Sequence, residues 1–297
     1  MHSESGWAQA CFLRACALDV AVRKPGNVSQ ASPGHGMQAA MFIASAQAAA
    51  GPLFTPGATV GDRIEAAMAA SWAAAGCNTN LGILLLCAPL ALAAERVPGA
   101  PTRLALRGAL ASVLAALNVA DARATYRAIA LANPGGLGTV PAQDVRASPD
   151  IDLRAAMALA ADRDRIARQY RDGFADLFDL APPTLPPEFL RAAGLYHTAP
   201  ETSVVVAVQS LYLTLLGAWP DSHIVRKHGP TVAHNVMTAA QRFLLQSGPL
   251  GTPAADAAVA AWDQSLKAAG INPGTTADFT VAALWVACVT APRPALR

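Results

Sequence analysis

Two long stretches of this chain, residues 66–94 and 202–220, contain no charged side chain. Runs of this kind are typical of membrane spans or of helices in the core of a globular protein. The first run is interrupted by the polar segment 76–80, which a hydrocarbon environment would penalise. Much of the remaining apolar content is alanine, which is weakly hydrophobic but forms helices readily. We therefore expect buried helices and no membrane span.

Helical signals extend over the whole chain. Nearly every segment between glycine and proline residues favours a helix, and no alternation of strands and helices is present. The sequence therefore predicts an all-α fold, with a single compact domain of about eleven or more helices over residues 1–297. One predicted helix covers 153–178 and the last covers 277–289. The proline-rich segment 181–187 is predicted to be a flexible connection within the domain.

Composition excludes several classes of protein. The chain is 53% hydrophobic and 14% charged, which is too apolar for disorder. Five cysteines without a CxxC spacing do not form a disulfide scaffold. A net charge of +2 and 6% aromatic residues argue against nucleic-acid binding. The first residues lack the basic and then apolar pattern of a signal peptide, so we expect a cytoplasmic protein.

The loop after the first predicted helix contains Lys24 and Asn27 and is followed by His35 between two glycines. Lysine is scarce in this chain, and a lysine beside Arg23 favours a phosphate contact. The alternative is a basic helix end that complements the helix dipole. His35 is either a catalytic base or a structural or solvated histidine.

Asp62 and Glu65 lie three residues apart in the first turn of a predicted helix. Both carboxylates can face one side of that helix, where they could bind Mg²⁺ through oxygen atoms. The alternative is that Asp62 forms a capping box with Thr59.

Polar residues also separate two very apolar helices, at Asn78, Thr79 and Asn80. Side chains of this kind near a helix N-terminus suit a phosphate or sugar ligand, although they can equally cap the two helices. The glycine-rich segment 133–138 follows a helix and is not followed by Lys and Ser/Thr. It is therefore neither a P-loop nor a dinucleotide-binding motif, and its role is left open.

Two late segments complete the set of polar clusters. Asp221, Arg226 and Lys227 bring an acid and two bases together within seven residues. Asp278 follows a glycine turn and comes three residues after Thr275, so a capping box could also explain it. The chain has no serine-hydrolase motif, no zinc-protease motif and no Cys/His zinc spacing.

Taken in order, these segments resemble the ATP:dephospho-CoA triphosphoribosyltransferase family over most of the chain. The resemblance implies an all-α enzyme that joins the triphosphoribosyl part of ATP to the ribose 2′-hydroxyl of 3′-dephospho-CoA and releases adenine. It is carried by Lys24-Pro25-Gly26, His35 with Met37, Asp62 and Glu65, Asn78-Thr79 with Gly82, Asp221 with Arg226 and Gly229, and residues 274–278.

The chain departs from the best-characterised members at Asn80-Leu81, where they have histidine and lysine. There it is more similar to a branch found in organisms with methanopterin-linked one-carbon metabolism. One alternative is therefore an ATP-dependent phosphotransferase or another nucleotide-using enzyme of one-carbon cofactor biosynthesis. The other alternative is a helical binding protein without enzymatic activity.

Glycosyl transfer from ATP requires that the triphosphate is neutralised, that an oxocarbenium-like transition state is stabilised and that the acceptor hydroxyl loses a proton. We expect Mg²⁺ to accompany ATP and to bind Asp62, Glu65 or Asp221. A small-molecule acceptor is expected, and assembly with further copies of the chain is left open. The predicted phosphate ligands are Lys24, Arg226 and Lys227, the predicted nucleotide and ribose ligands are Asn27, Asn78, Thr79 and Asn80, and the candidate general bases are Asp62, Glu65, His35 and Asp278.

Overall fold

The computed structural model describes residues 4–133, 147–179 and 200–292, which contain fourteen α-helices and no extended strand. The predicted all-α fold class is confirmed. The segment 181–187 and residues 134–138 lie outside the described residues. The helices are α1 (Glu4–Ala21), α2 (Ala39–Leu53), α3 (Val60–Ala75), α4 (Leu81–Glu95), α5 (Arg103–Ala115), α6 (Val119–Ala132), α7 (Leu153–Ala158), α8 (Arg165–Asp172), α9 (Ala175–Asp179), α10 (Thr202–Ala218), α11 (Ser222–His228), α12 (Pro230–Gln246), α13 (Pro253–Ala268) and α14 (Gly274–Val289).

Helices α4 and α14 form the centre of the fold, because both are apolar around almost their whole circumference. Twelve of the fifteen residues of α4 and thirteen of the sixteen residues of α14 are buried. The two helices contact each other, and α1 packs on α14 while α2 and α6 pack on α3. The indole of Trp285 is fully buried and donates a hydrogen bond to the carbonyl oxygen of Ala8 at 2.9 Å. This contact ties α14 to the first helix.

Across the described ranges, no single helix is both long enough and apolar enough to cross a membrane. Two bent pairs, α5 with α6 and α10 with α11, meet the criteria of length and composition only when each pair is taken together.

The predicted helix over 153–178 is wrong, because three short helices occupy this stretch. The Asp164 carboxylate accepts hydrogen bonds from the backbone N–H groups of Ile166 and Ala167, and so begins α8. Gly173 ends α8 in the left-handed conformation, at a φ of 67°. The break between α7 and α8 matters for function, since it turns Asp164 and its neighbours towards the interior cavity described below.

Helix α11 was not predicted, and α14 begins three residues before the predicted start at 277. The short α11 is held by one carboxylate, that of Asp221, at its N-terminus. Its formation places Arg226 and Lys227 in the last turn of a helix.

Candidate active site

A cavity of about 530 Å³ lies where the N-terminal ends of α4, α8 and α14 meet. Its lining includes residues 80–83, the start of α8 at Asp164 and Ile166, and Thr275 and Asp278 in the first turns of α14. Backbone N–H groups and the positive end of the helix dipole are found at each helix N-terminus. Three such ends in one cavity favour an anionic ligand.

Cationic side chains reinforce this preference. Arg163, Arg226 and Lys227 line the cavity, and Lys227 makes no hydrogen bond or ion pair with any residue in the described part of the chain. Arg226 donates a hydrogen bond from Nη1 to Oδ2 of Asp164 at 2.7 Å, which fixes the guanidinium beside α8. One cation is therefore held in place, while the other has no partner in the described ranges and can meet a ligand.

The segment between α3 and α4 supplies polar groups from a connected network. Thr79 donates from Oγ1 to Ser45 Oγ at 2.7 Å, and Asn80 donates from Nδ2 to Ser71 Oγ at 2.9 Å. Asn78 caps α4 by accepting the backbone N–H of Leu81 at 3.1 Å. Within the described part of the chain the buried Oδ1 of Asn80 has no hydrogen-bond partner, so this cavity residue has an acceptor left for a ligand hydroxyl.

The cavity also has an apolar part, to which α2, α3 and α6 contribute. Its aromatic side chains are Phe42, Trp72 and Tyr126, and Met37 and Met157 add thioether surface. Aromatic and thioether groups suit the flat face of a heterocyclic ring. The cavity therefore combines an anion-binding part with a part suited to a nucleobase.

Asp278 has an unusual environment for a carboxyl group. It makes no hydrogen bond or ion pair with the residues that the structure describes. Burial raises its pKa well above the ordinary value, the nearby carboxylates of Asp19, Asp221 and Asp164 raise it further, and Arg226 opposes the shift. A carboxyl of this kind in a cavity is a candidate for proton transfer.

The capping alternative for Asp278 is wrong. Helix α14 begins at Gly274, its N-cap Pro273 makes no side-chain cap, and the Thr275 hydroxyl instead accepts the backbone N–H of His223 at 3.2 Å. Asp278 thus has no role in starting the helix. By contrast, the capping interpretation of Asp62 is confirmed in part, because Thr59 Oγ1 accepts the Asp62 N–H at 3.2 Å. The Asp62 carboxylate accepts from the Thr59 hydroxyl at 2.9 Å and not from its backbone N–H, so the reciprocal half of a capping box is not formed.

Two histidines line the cavity. His35 places Nε2 2.8 Å from the carbonyl oxygen of Gly26, with its backbone at a φ of 55°. His223 has a buried Nε2 without a hydrogen-bond partner. Burial, and then the positive charges of Arg226 and Lys227, lower the pKa of His223 to about 3, so its imidazole is neutral near pH 7.

Lys24 does not line the cavity, and its predicted phosphate contact requires correction. Its side chain is fully buried, with Nζ 2.9 Å from Oδ1 of Asp19 and in contact with the Asp19 carbonyl oxygen. The ring of Tyr212 lies 5.8 Å from the same ammonium group. Lys24 therefore supports the position of Asp19, which does line the cavity.

Asn27, from the same loop, lines the cavity. Its Nδ2 donates to Oδ1 of Asn272 at 3.0 Å, and its own Oδ1 is buried without a partner among the described residues. The pair links the loop after α1 to the segment that precedes α14.

Asp221 does not lie where its predicted role as a metal ligand requires. It is buried outside the cavity lining, and both carboxylate oxygens are occupied. Oδ1 accepts the N–H groups of His223 and Ile224, and Oδ2 accepts the N–H and the hydroxyl of Thr276. Asp221 therefore joins α11 to α14.

Asp62 and Glu65 lie apart from the cavity, which corrects their assignment to the same site as Asn78. Both carboxylate oxygens of Glu65 pair with Arg127 at 2.6 Å on the surface. The two acids lie in the first two turns of α3, whereas this helix reaches the cavity at Trp72, seven residues and about 10 Å further along its axis than Glu65. In the described ranges no group of three or more His, Cys, Asp or Glu side chains could hold a metal ion.

Sequence reasoning gave no role to several cavity residues. His223 and Asn272 belong to polar clusters that it singled out, so their proximity to the site could have been expected. Arg163 and Asp164 were hidden in the predicted long helix, and Asp19 lay inside the first predicted helix. Only the three-dimensional arrangement brings these residues together.

Gly82 provides a test of the Asp278 environment. A Cβ atom at Gly82 would lie 2.0 Å from Oδ2 of Asp278, so Gly82→Ala must displace a carboxylate that no hydrogen bond holds. The atoms that the new methyl group would meet belong to the side chains of Asp278 and Ile166, which can move aside at little cost in stability. We expect the midpoint of thermal unfolding to change little while kcat falls at least about tenfold. Gly108→Ala, in an open position of α5, is the matched control and should leave kcat unchanged.

Two comparisons with known proteins give matches over most of the chain. The family model of ATP:dephospho-CoA triphosphoribosyl transferases matches residues 6–295. A crystal structure from Archaeoglobus fulgidus, of a candidate triphosphoribosyl-dephospho-CoA synthase, is 21% identical with a TM-score of 0.61 and covers 84% of this chain and 98% of that chain. At this identity the likeness shows a shared fold. No curated protein matches the sequence.

Proposed function

The chain belongs to the ATP:dephospho-CoA triphosphoribosyl transferase family and is a transferase that moves the triphosphoribosyl group of ATP to dephospho-CoA, and we propose that the reaction takes place in the cavity at the N-termini of α4, α8 and α14. One observation carries this proposal. The cavity joins three helix N-termini and the cations Arg226 and Lys227 to the carboxyl of Asp278, which has no partner among the residues that the structure describes. These features match a polyanionic substrate and a proton-transfer step.

The triphosphate is proposed to bind at the helix N-termini, where Arg163, Arg226 and Lys227 neutralise its charge. Lys227 is the most accessible of the predicted phosphate ligands, since Arg226 is already paired with Asp164. These contacts would hold the transferred group while the glycosidic bond breaks.

The ribose and the base are proposed to lie on the other side of the cavity. Asn78, Thr79 and Asn80 present polar groups for sugar hydroxyls, and the free Oδ1 of Asn80 is the best placed acceptor among them. The adenine ring would then lie in the apolar part, near Trp72 and Tyr126. Asn27 is retained as a nucleotide ligand.

Magnesium is proposed only as the counter-ion that ATP carries as a substrate. The described residues do not form a metal site of their own, and neither Asp62, Glu65 nor Asp221 lies in the cavity lining. Mg²⁺ is commonly held by substrate phosphates with only one or two protein carboxylates. No step of the reaction is assigned to it.

We also propose a cytoplasmic location, which accords with ATP as the substrate. A measurement of mass in solution tests association between copies of the chain.

The proposed function is tested by incubating the purified chain with ATP, Mg²⁺ and dephospho-CoA and measuring free adenine. We expect adenine and a triphosphoribosylated acceptor in equal amounts. Formation of ADP with the adenine still attached would instead indicate phosphoryl transfer. If neither product forms and calorimetry detects no binding of ATP, the result would favour the alternative of a helical binding protein without enzymatic activity.

Lys227→Gln tests the proposed position of the triphosphate. Loss of a charge-assisted contact worth about 1.4 kcal/mol should raise the KM for ATP roughly tenfold, with a smaller change in the KM for dephospho-CoA. Arg96→Gln is the matched control, because Arg96 is an exposed cation at the opposite end of α4. Equal KM values for ATP in the two variants would contradict the assignment.

A further inference from the structure

We propose that Asp278 is the general acid of this transfer and gives its proton to adenine as the base leaves. The inference rests on the proposed function of the cavity and adds the identity of the acid to it. Adenine is a poor leaving group as an anion, so its departure is assisted when a ring nitrogen is protonated.

The distribution of charge around the cavity singles out Asp278. Asp19 faces the ammonium of Lys24, and Asp164 faces the guanidinium of Arg226. Among the carboxyls that line the cavity in the described residues, only Asp278 lacks a hydrogen bond or ion pair. Because no such contact stabilises its carboxylate form, Asp278 is expected to hold a proton.

Most of the groups that act on Asp278 from the neighbouring elements favour its neutral form. Asp19 on α1, Asp164 before α8 and Asp221 before α11 raise its pKa, whereas Arg226 lowers it. Arg163 and Lys227 are further cations in the lining of the same cavity. The thiols of Cys16 and Cys87 are buried nearby, and burial raises the pKa of both. Three nearby acids and the half-buried position of Asp278 favour the neutral carboxyl against the charge of Arg226.

The two cavity histidines are poorer candidates for the acid. The pKa of His223 is lowered to about 3, so it holds no acidic proton near pH 7. His35 has its Nε2 2.8 Å from the carbonyl oxygen of Gly26, a pairing in which that nitrogen must donate its hydrogen to the protein backbone. His35 therefore has a hydrogen-bond partner, whereas Asp278 has none among the residues that the structure describes.

The C1′–N9 bond of ATP breaks, and its electron pair goes to the purine. The carboxyl proton of Asp278 moves to N7, so adenine leaves as a neutral molecule. The acceptor hydroxyl oxygen forms the new bond to C1′, its proton passes to water, and Asp278 is protonated again from water before the next cycle.

The first experiment compares the pH profile of kcat/KM for the intact chain and for Asp278→Asn, with adenine release as the readout. We expect wild-type activity to fall at high pH, as a general acid loses its proton. Asp278→Asn should lower kcat by about 10²–10⁴-fold, leave the KM for ATP within about threefold and remove the dependence at high pH. Asp162→Asn, on an exposed surface residue, should retain the wild-type profile.

The second experiment uses ATP methylated at N7, whose base departs as a neutral molecule without receiving a proton. The defect of Asp278→Asn should then shrink to less than about tenfold, which also shows that the variant is folded. The acid assignment would be overturned if Asp278→Asn lowered kcat by the same factor with both substrates. It would also be overturned if the variant lost the fall in activity at low pH and not the fall at high pH. Adenine release by the wild type combined with full activity of Asp278→Asn would overturn this inference alone, whereas no release by the wild type would overturn the proposed function as well.

Discussion

Lys24→Met should lower the free energy of unfolding by about 3–5 kcal/mol, because it leaves the carboxylate of Asp19 buried without its counter-charge. Lys24 is fully buried and Asp19 almost so, and their charged groups are 2.9 Å apart. Burial raises the pKa of Asp19, and the ammonium of Lys24 opposes that shift. Without the ammonium, the carboxyl must take up a proton or admit water. The measurement is denaturant unfolding of both proteins at pH 7.

Two further variants separate charge from packing. The double variant Lys24→Met, Asp19→Asn removes both charges, so it should recover a large part of the lost stability. Arg107→Met, which breaks an exposed pair with Asp179, should leave the unfolding midpoint almost unchanged. If Lys24→Met were no more destabilising than Arg107→Met, the buried pair would not have the structural role assigned to it.

Local chemistry predicts much of this fold, because helix starts depend on a few neighbouring residues. Thr59 and Thr252 cap α3 and α13 through their side-chain oxygens, as their sequence context indicates. The same pattern at Thr275 and Asp278 predicts a cap that does not form, because a spacing of three residues does not determine where a helix begins. There, Asp221 from a distant part of the chain binds Thr276 and fixes the start of α14.

The site was predictable in part for the same reason. Polar residues between apolar helices, such as Asn78 and Arg226, lie at helix ends, and helix ends converge on the cavity. Glu65 shows the limit of that reasoning, because it lies near the start of a helix whose other end reaches the cavity. Lys24 shows a second limit, because the sequence does not reveal that this lysine is buried in an ion pair with Asp19.

Asp221→Asn should lower the free energy of unfolding by about 2–4 kcal/mol and should also reduce kcat. The asparagine oxygen can still accept the N–H groups of His223 and Ile224 at the start of α11. Its amide nitrogen cannot accept the N–H of Thr276, which is 2.7 Å from Oδ2 and would be left buried and unpaired. An unsatisfied buried donor costs about 1–3 kcal/mol, and the change also removes the contact with the Thr276 hydroxyl.

Asp152→Asn is the matched control, because Asp152 caps only α7, through the N–H of Ala155. Asparagine and aspartate are about equally good caps, so this variant should retain wild-type stability and kcat. The contrast isolates the link between α11 and α14. That link matters for catalysis because Arg226 lies on one helix and Asp278 on the other, so loosening it changes the position of the phosphate-binding cation relative to the acid. A stable Asp221→Asn variant with full activity would show that the two helices hold their positions without this carboxylate.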